Sequence, residues 1–151
     1  MKRWLTAFFA LLFFLTALTA CGTGSGRTAA SSAATGRKPV IAVTIVPEET
    51  FVKAVCGNLV EVITTVPPGY SPETYEPTPK EKEELGGAQI YFAIGVPVEE
   101  SSILPAAADL KTMKIVRLQD AVAKQYEDRT FPSGERDPHI WLSPKRAKVM
   151  V

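Results

Sequence analysis

Four short apolar runs rich in β-branched residues set the frame for this chain. They are "PVIAVTIV" from Pro39 to Val46, "LVEVITTV" from Leu59 to Val66, "QIYFAIG" from Gln89 to Gly95, and "MKIVRL" from Met113 to Leu118. The first is almost continuously apolar, which is how a strand buried on both faces reads, as in a parallel sheet. Helical patterns separate the runs. In "PEETFVKAVCGN", Phe51, Val52, Val55 and Cys56 share one helical face; Glu48 and Glu49 suit the positive first turn, and Gly57 suits the stop. Thr78-Pro79-Lys80-Glu81 forms a capping box with proline at the first helical position, opening a short helix that ends at Gly86-Gly87. "VEESSILPAAADL" reads as broken helix. Strands alternating with helices predict an α/β domain with a mostly parallel four-stranded sheet.

In such a sheet ligands gather beyond the carboxyl ends of the strands. Two unusual segments are expected at that edge. "PPGYSPETYEPTP" follows the second strand and has prolines at 67, 68, 72, 77 and 79. Each fixes its own φ and restricts the residue before it, so the loop is long but stiff. Glu73 lies at its middle between Tyr70 and Tyr75. The alternative is a loop of solvated glutamates whose prolines only block edge pairing.

The second segment is "ERDPHIWLSP", from Glu135 to Pro144, which holds the only histidine of the chain. Pro138 biases Asp137 toward extended backbone, and Ser143-Pro144 reads as the N-cap and first residue of a helix. His139 thus sits on a short constrained segment with Trp141 packed against it. Imidazole is a common transition-metal ligand, and a carboxylate such as Asp137 can orient the ring through its second nitrogen. A lone histidine is more often a surface or packing residue. Cys56, among apolar neighbours, is expected in the core.

The amino-terminal region bounds the compartment. Lys2 and Arg3 precede the apolar stretch "WLTAFFALLFFLTALTA", the pattern of an export signal. "LTAC", Leu18 to Cys21, resembles a bacterial lipobox, in which the signal is cut before a cysteine that then carries a diacylglycerol. A plain secretion signal ending near a cysteine is the alternative. "GTGSGRTAASSAATGRK", from Gly22 to Lys38, is a flexible tether by composition. The expected organisation is a signal peptide over 1–20, lipidated Cys21 and tether over 21–38, an α/β lobe over 39–142, and a helix starting at 143 and interrupted at 151. The protein is then exported and lipid-anchored to the outer face of the cell membrane. Of 17 basic and 16 acidic residues, two basic and no acidic ones lie in the first twenty, so the remainder is one acid ahead. Such a balance gives no field for nucleic acid. No serine stands in a nucleophile-elbow motif beside a base, and no dinucleotide or phosphate-loop pattern lies in strand–helix context, so an enzyme is not expected.

Taken together, "PPGYSPETYEPTP", "DPHIWLSP" and the lipobox resemble the metal-binding lipoproteins of zinc and manganese ABC importers, whose relatives include streptococcal adhesin-type lipoproteins. The resemblance covers the chain after the tether but only the first half of the family's length. It implies a two-lobe, periplasmic-binding-protein-like fold, with this chain as the N-terminal lobe and Ser143 opening the long interlobe helix. It implies one zinc or manganese ion as cargo, two ligands from each lobe, and a membrane permease as recipient. His139 matches the family's histidine. Glu73 stands where many members have histidine, which puts that ligand in doubt or turns preference toward harder ions. The histidine-rich loop of zinc-specific members is missing. The C-terminal lobe lies outside this chain, so the chain alone is expected to bind metal weakly. Two rival readings are a same-fold receptor for a non-metal solute, with Glu73 and the tyrosines contacting an organic cation, and an adhesin-type surface lipoprotein.

Overall fold

A computed structural model describes residues 36–108 and 110–151. The expectations for the signal segment and for Cys21 lie outside the described residues. Strands β1 (Val40–Val43), β2 (Glu61–Thr64), β3 (Ile90–Ala93) and β4 (Lys114–Arg117) form one sheet in the order β2-β1-β3-β4. All three pairings are parallel, with Ile41 opposite both Val62 and Ile90, and Tyr91 opposite Ile115. The expected α/β class and parallel sheet are what the chain adopts.

The strands are shorter than their apolar runs. β1 ends at Val43 because Thr44 and Ile45 turn out of the sheet to feed α1 (Val46–Cys56). Pro47 sits in the first turn of α1, where a missing N–H costs nothing, and the Glu48 side chain reaches back to the Ile45 N–H. Gly57 stops the helix with φ 54°, and its N–H bonds to Lys53 O. At the other end of the sheet, Leu118 belongs not to β4 but to an unforeseen helix, α4 (Leu118–Ala123).

α2 (Pro79–Leu85) begins as the capping box predicts. Glu81 N–H donates to Thr78 Oγ1 at 3.3 Å, and Thr78 N–H donates to Glu81 Oε2 at 2.7 Å. After β3 the chain makes a π-helical turn (Glu99–Ile103) that runs into α3 (Leu104–Ala108). Pro105 has no N–H to give Ser101, so an α-helical ladder cannot run through this point; Leu104 N–H bonds one residue further back, to Glu99 O. A short hairpin, a 3-10 turn (Ile140–Leu142) and α5 (Pro144–Met150) follow.

The core lies mainly on the sheet face carrying Ala42, Tyr91 and Ala93, all fully buried and covered by Leu85, Ile103 and Leu104. The opposite face is less filled. There Ile41, Ile90 and Phe92 line a cavity of about 250 Å³ with Phe51, Val52 and Met150. The apolar face expected of α1 borders this cavity and is only partly covered. Val55 is exposed and Cys56 half-buried, so Cys56 is not the core residue its neighbours suggested.

Candidate metal-binding edge

The proline loop leaves the carboxyl end of β2, and the histidine segment follows α4. The first begins with a tight turn in which Tyr70 N–H donates to Pro67 O at 3.2 Å, with Pro68 at its second position and Gly69 (φ 89°) at its third. That is the sequence a type II turn demands. A second turn follows at once. Thr74 N–H and Tyr75 N–H both reach Ser71 O (3.2 and 3.0 Å), Pro72 takes the φ-restricted position, and Ser71 Oγ accepts from Glu73 N–H at 3.3 Å. Glu73 is thereby set at the tip of this turn, exposed to solvent. Tyr75 donates its hydroxyl to Glu81 Oε1 at 2.8 Å and meets Tyr70 edge-on at 5.1 Å, tying the loop to α2.

The histidine arm is built on a hairpin. Gly134 (φ 88°) closes the turn "FPSG" by donating to Phe131 O at 2.9 Å, and Phe131 N–H donates to Glu135 O at 2.8 Å. The Arg136 guanidinium spans Asp128 and Asp120, and Asp137 N–H donates to Arg129 O at 2.7 Å. Asp137 is thus fixed before the chain turns through buried Pro138 into His139.

Asp137 Oδ1 then accepts twice from the same residue, from His139 N–H at 3.0 Å and at 2.7 Å from the ring atom Nδ1. The backbone N–H first, and the ring second, hold the Asp137 carboxyl below its ordinary range. With the carboxylate ionised, Nδ1 carries the hydrogen, and it is Nε2 that offers a lone pair in the neutral ring. The His139 ring is about two-fifths exposed. It lies against Trp141 at 5.0 Å between centroids, as expected, and Phe131 meets its edge at 6.3 Å. Ser143 stands at the N-cap of α5, but its hydroxyl makes no capping bond; Pro144 in the first turn and Ala147 N–H to Ser143 O define the start.

The structure therefore brings Asp137 and His139 together and holds Glu73 on a separate rigid turn. Among the described residues, no three His, Cys, Asp or Glu side chains gather closely enough to hold a metal ion.

A buried polar cluster at the carboxyl ends of β1 and β3 was not foreseen. Glu48 Oε2 accepts from the N–H groups of Thr44 and Ile45 (3.0 and 3.1 Å). Glu99 accepts from the Thr44 hydroxyl, from Ile94 N–H at 3.0 Å and from Gly95 N–H at 2.7 Å. Since Thr44 has one hydroxyl hydrogen and gives it to Glu99, the Tyr91 hydroxyl, 2.6 Å away, donates to Thr44. Burial, and then the charge of Glu99, push the Glu48 carboxyl up to about 8. Burial also raises Glu99 and Tyr91, against the donors that Glu99 has gathered. In the sequence Glu48 reads as a first-turn acid, and Glu99 as one of two adjacent glutamates, Glu99 and Glu100, that point in different directions. The one signal was that Glu99 follows the apolar Val96 and Val98 and precedes Ile103.

Comparison with known proteins agrees with this architecture. Residues 41–151 match the family model of the periplasmic zinc-uptake complex component A, ZnuA. The metal ABC transporter substrate-binding lipoprotein FimA of Streptococcus parasanguinis is 28% identical over 145 residues, covering 92% of this chain and 44% of FimA. The manganese ABC transporter substrate-binding lipoprotein PsaA of Streptococcus pneumoniae gives the same identity and coverage. The chain spans less than half the length of these curated relatives. A crystal structure of ZnuA superposes with a TM-score of 0.65 at 32% identity, over 75% of this chain and 43% of that one. The periplasmic zinc binding protein TroA from Treponema pallidum shares the fold, with a TM-score of 0.64 at 23% identity, over 75% of this chain and 40% of that one.

Proposed function

The chain belongs to the ZnuA family of zinc-uptake complex component A proteins, and on that premise we propose that it is the N-terminal metal-binding lobe of an extracytoplasmic solute receptor. Its cargo is a divalent transition-metal ion, zinc or manganese, which it captures and passes to the permease of an ABC importer. His139 supplies one ligand through Nε2, and Glu73 supplies a second through a carboxylate oxygen. Asp137 acts behind His139, fixing its tautomer and ring direction. Cys21, lipidated, anchors the chain to the outer face of the membrane.

The observation that carries this reading is the Asp137–His139 pair. A carboxylate bonded to both the backbone and one ring nitrogen of the same histidine leaves the other nitrogen basic and aimed, the arrangement metal-ligating histidines use. Two ligands leave a four-coordinate ion open, so the remaining positions fall to water or to a C-terminal lobe. Zinc and manganese titrations of the chain by calorimetry, with His139→Ala beside the wild type, test it. The expected result is weak binding that drops by about tenfold in the variant; equal affinity in the two proteins rules out His139 as a ligand.

A further inference from the structure

Glu99 is fully buried, yet nothing in the metal reading uses it. Its three donors come from two different strand ends. Thr44 follows β1, whereas Ile94 and Gly95 follow β3. β1 and β3 are the paired central strands, and beyond them the chain departs in opposite directions, toward α1 on one side and the π-helical turn on the other. This is the switch point of the sheet, and the β1–β3 pairing has already ended at Val43 and Phe92. The Glu99 carboxylate ties the two ends together beyond it. Gly95 has φ 87°, and the Gln119 side chain lies 3.3 Å from where a Cβ would stand, so the corner tolerates little else.

The corner leads directly to the proline loop. Val98, next to Glu99, donates its N–H to Pro72 O at 3.2 Å. Among the described residues this is the one backbone hydrogen bond from the segment 67–77 to another part of the chain; its other backbone bonds close its own turns. Pro72 immediately precedes Glu73.

We propose that Glu99 is a positioning residue for the Glu73 arm: its carboxylate fixes the corner after β3 against the end of β1, and the Val98–Pro72 bond passes that position to the turn bearing Glu73. The idea rests on Glu73 being a metal ligand only for its consequence in binding; the mechanical link can be read without metal. Glutamine cannot replace Glu99. An amide offers one acceptor oxygen, and its NH₂ would face either the Gly95 N–H or the Ile94 N–H and Thr44 hydroxyl.

Hydrogen exchange of the whole chain, wild type against Glu99→Gln, tests the link. The expected result is that the Val98 amide and the backbone of 69–75 exchange about tenfold faster, while β2 and α1 keep their protection. Uniform loosening of the whole domain, or loosening confined to 94–99, overturns the proposal. Thr44→Val removes one donor to Glu99, and Tyr91→Phe beside it keeps the Tyr91 hydroxyl, which donates to Thr44, from being left unpartnered; the same selective pattern, smaller, is expected in this double variant, which decides the matter where Glu99→Gln does not fold. Zinc titration then asks about the arm itself. Glu99→Gln is expected to weaken binding several-fold in the wild type but not in Glu73→Ala, because coupled residues are not additive. Equal losses in both backgrounds refute action through Glu73. A chain that binds no zinc at all refutes the metal reading, and the exchange pattern alone then decides the mechanical link.

Discussion

Asp137 Oδ1 accepts from both the backbone N–H and the ring of His139, at 3.0 and 2.7 Å. The double contact separates two jobs within one segment: the backbone bond shapes the turn, and the ring bond selects the tautomer. Asp137→Asn retains an acceptor oxygen for the turn but loses the charge that keeps the hydrogen on Nδ1. The expected outcome is a loss of about tenfold in zinc affinity with an unchanged far-ultraviolet circular dichroism spectrum. The loss should not exceed that of His139→Ala. Full affinity in Asp137→Asn, measured by calorimetry, would show that the ring bond has no part in binding.

Glu73 lies at the tip of a turn locked by Pro72 and Ser71, so a substitution there changes ligand chemistry more than loop shape. Glu73→His exchanges a hard oxygen for imidazole, which suits zinc better than manganese. The ratio of zinc to manganese affinity in a competition titration should rise by about tenfold. Glu73→Ala should weaken both ions. If neither variant alters either affinity, Glu73 is not a ligand, and the second arm must be sought elsewhere.

Much of this was legible because it is local. The parallel sheet followed from β-branched runs separated by helical patterns, and the start of α2 followed from Thr78, Pro79 and Glu81 alone. The paired arrangement at Asp137 and His139 could be suspected from a spacing of two residues across a proline. The hairpin ahead of it was missed although "FPSG" carries a turn's signature, because the flanking residues are polar and lack strand periodicity. α4 was missed because Leu118 continues the apolar run of β4 without a break. The roles of Glu48 and Glu99 were not legible. Glutamate is rarely buried, and what buries these two is the meeting of Thr44, Tyr91 and Gly95, which only the strand order brings about. The face of α1 misled for the opposite reason. Val55 is apolar and correctly spaced, yet little in the described chain covers it.

The cap of α2 offers a test of the local reading. Thr78 accepts from Glu81 N–H, and Glu81 also receives the Tyr75 hydroxyl that ties down the proline loop. Thr78→Ala removes the capping oxygen and is expected to cost about 1 kcal/mol of stability in urea unfolding. Because Glu81 keeps its bond from Tyr75, the exchange protection of 69–75 should change little. A loss within error of zero would mean that water replaces the threonine oxygen at this exposed helix end.

The buried Glu48 makes a prediction about pH. Its carboxyl is pushed from 4.5 up to about 8, first by burial and then by Glu99. Between those values the folded chain holds a proton that the unfolded chain has released. Unfolding therefore sheds protons in this window, and stability falls as pH rises. The contribution is complete below about pH 4.5, is lost progressively up to about pH 8, and is flat beyond. The slope is at most about 1.4 kcal/mol per pH unit for one group. Glu99, raised by burial as well, adds in the same direction. Asp137, Glu49 and Glu81 are held low and act at the acid end, where stability falls as pH drops. Urea midpoints measured from pH 5 to pH 9 should therefore decline. In Glu48→Gln, whose amide oxygen can still accept from Thr44 and Ile45, the decline should shrink to the part owed to Glu99. The variant should consequently be the more stable protein at pH 8. A wild-type midpoint that holds level or rises over this range would mean that Glu48 is ionised in the folded chain, and that a cation or water reaches its second oxygen, which has no hydrogen-bond partner among the described residues.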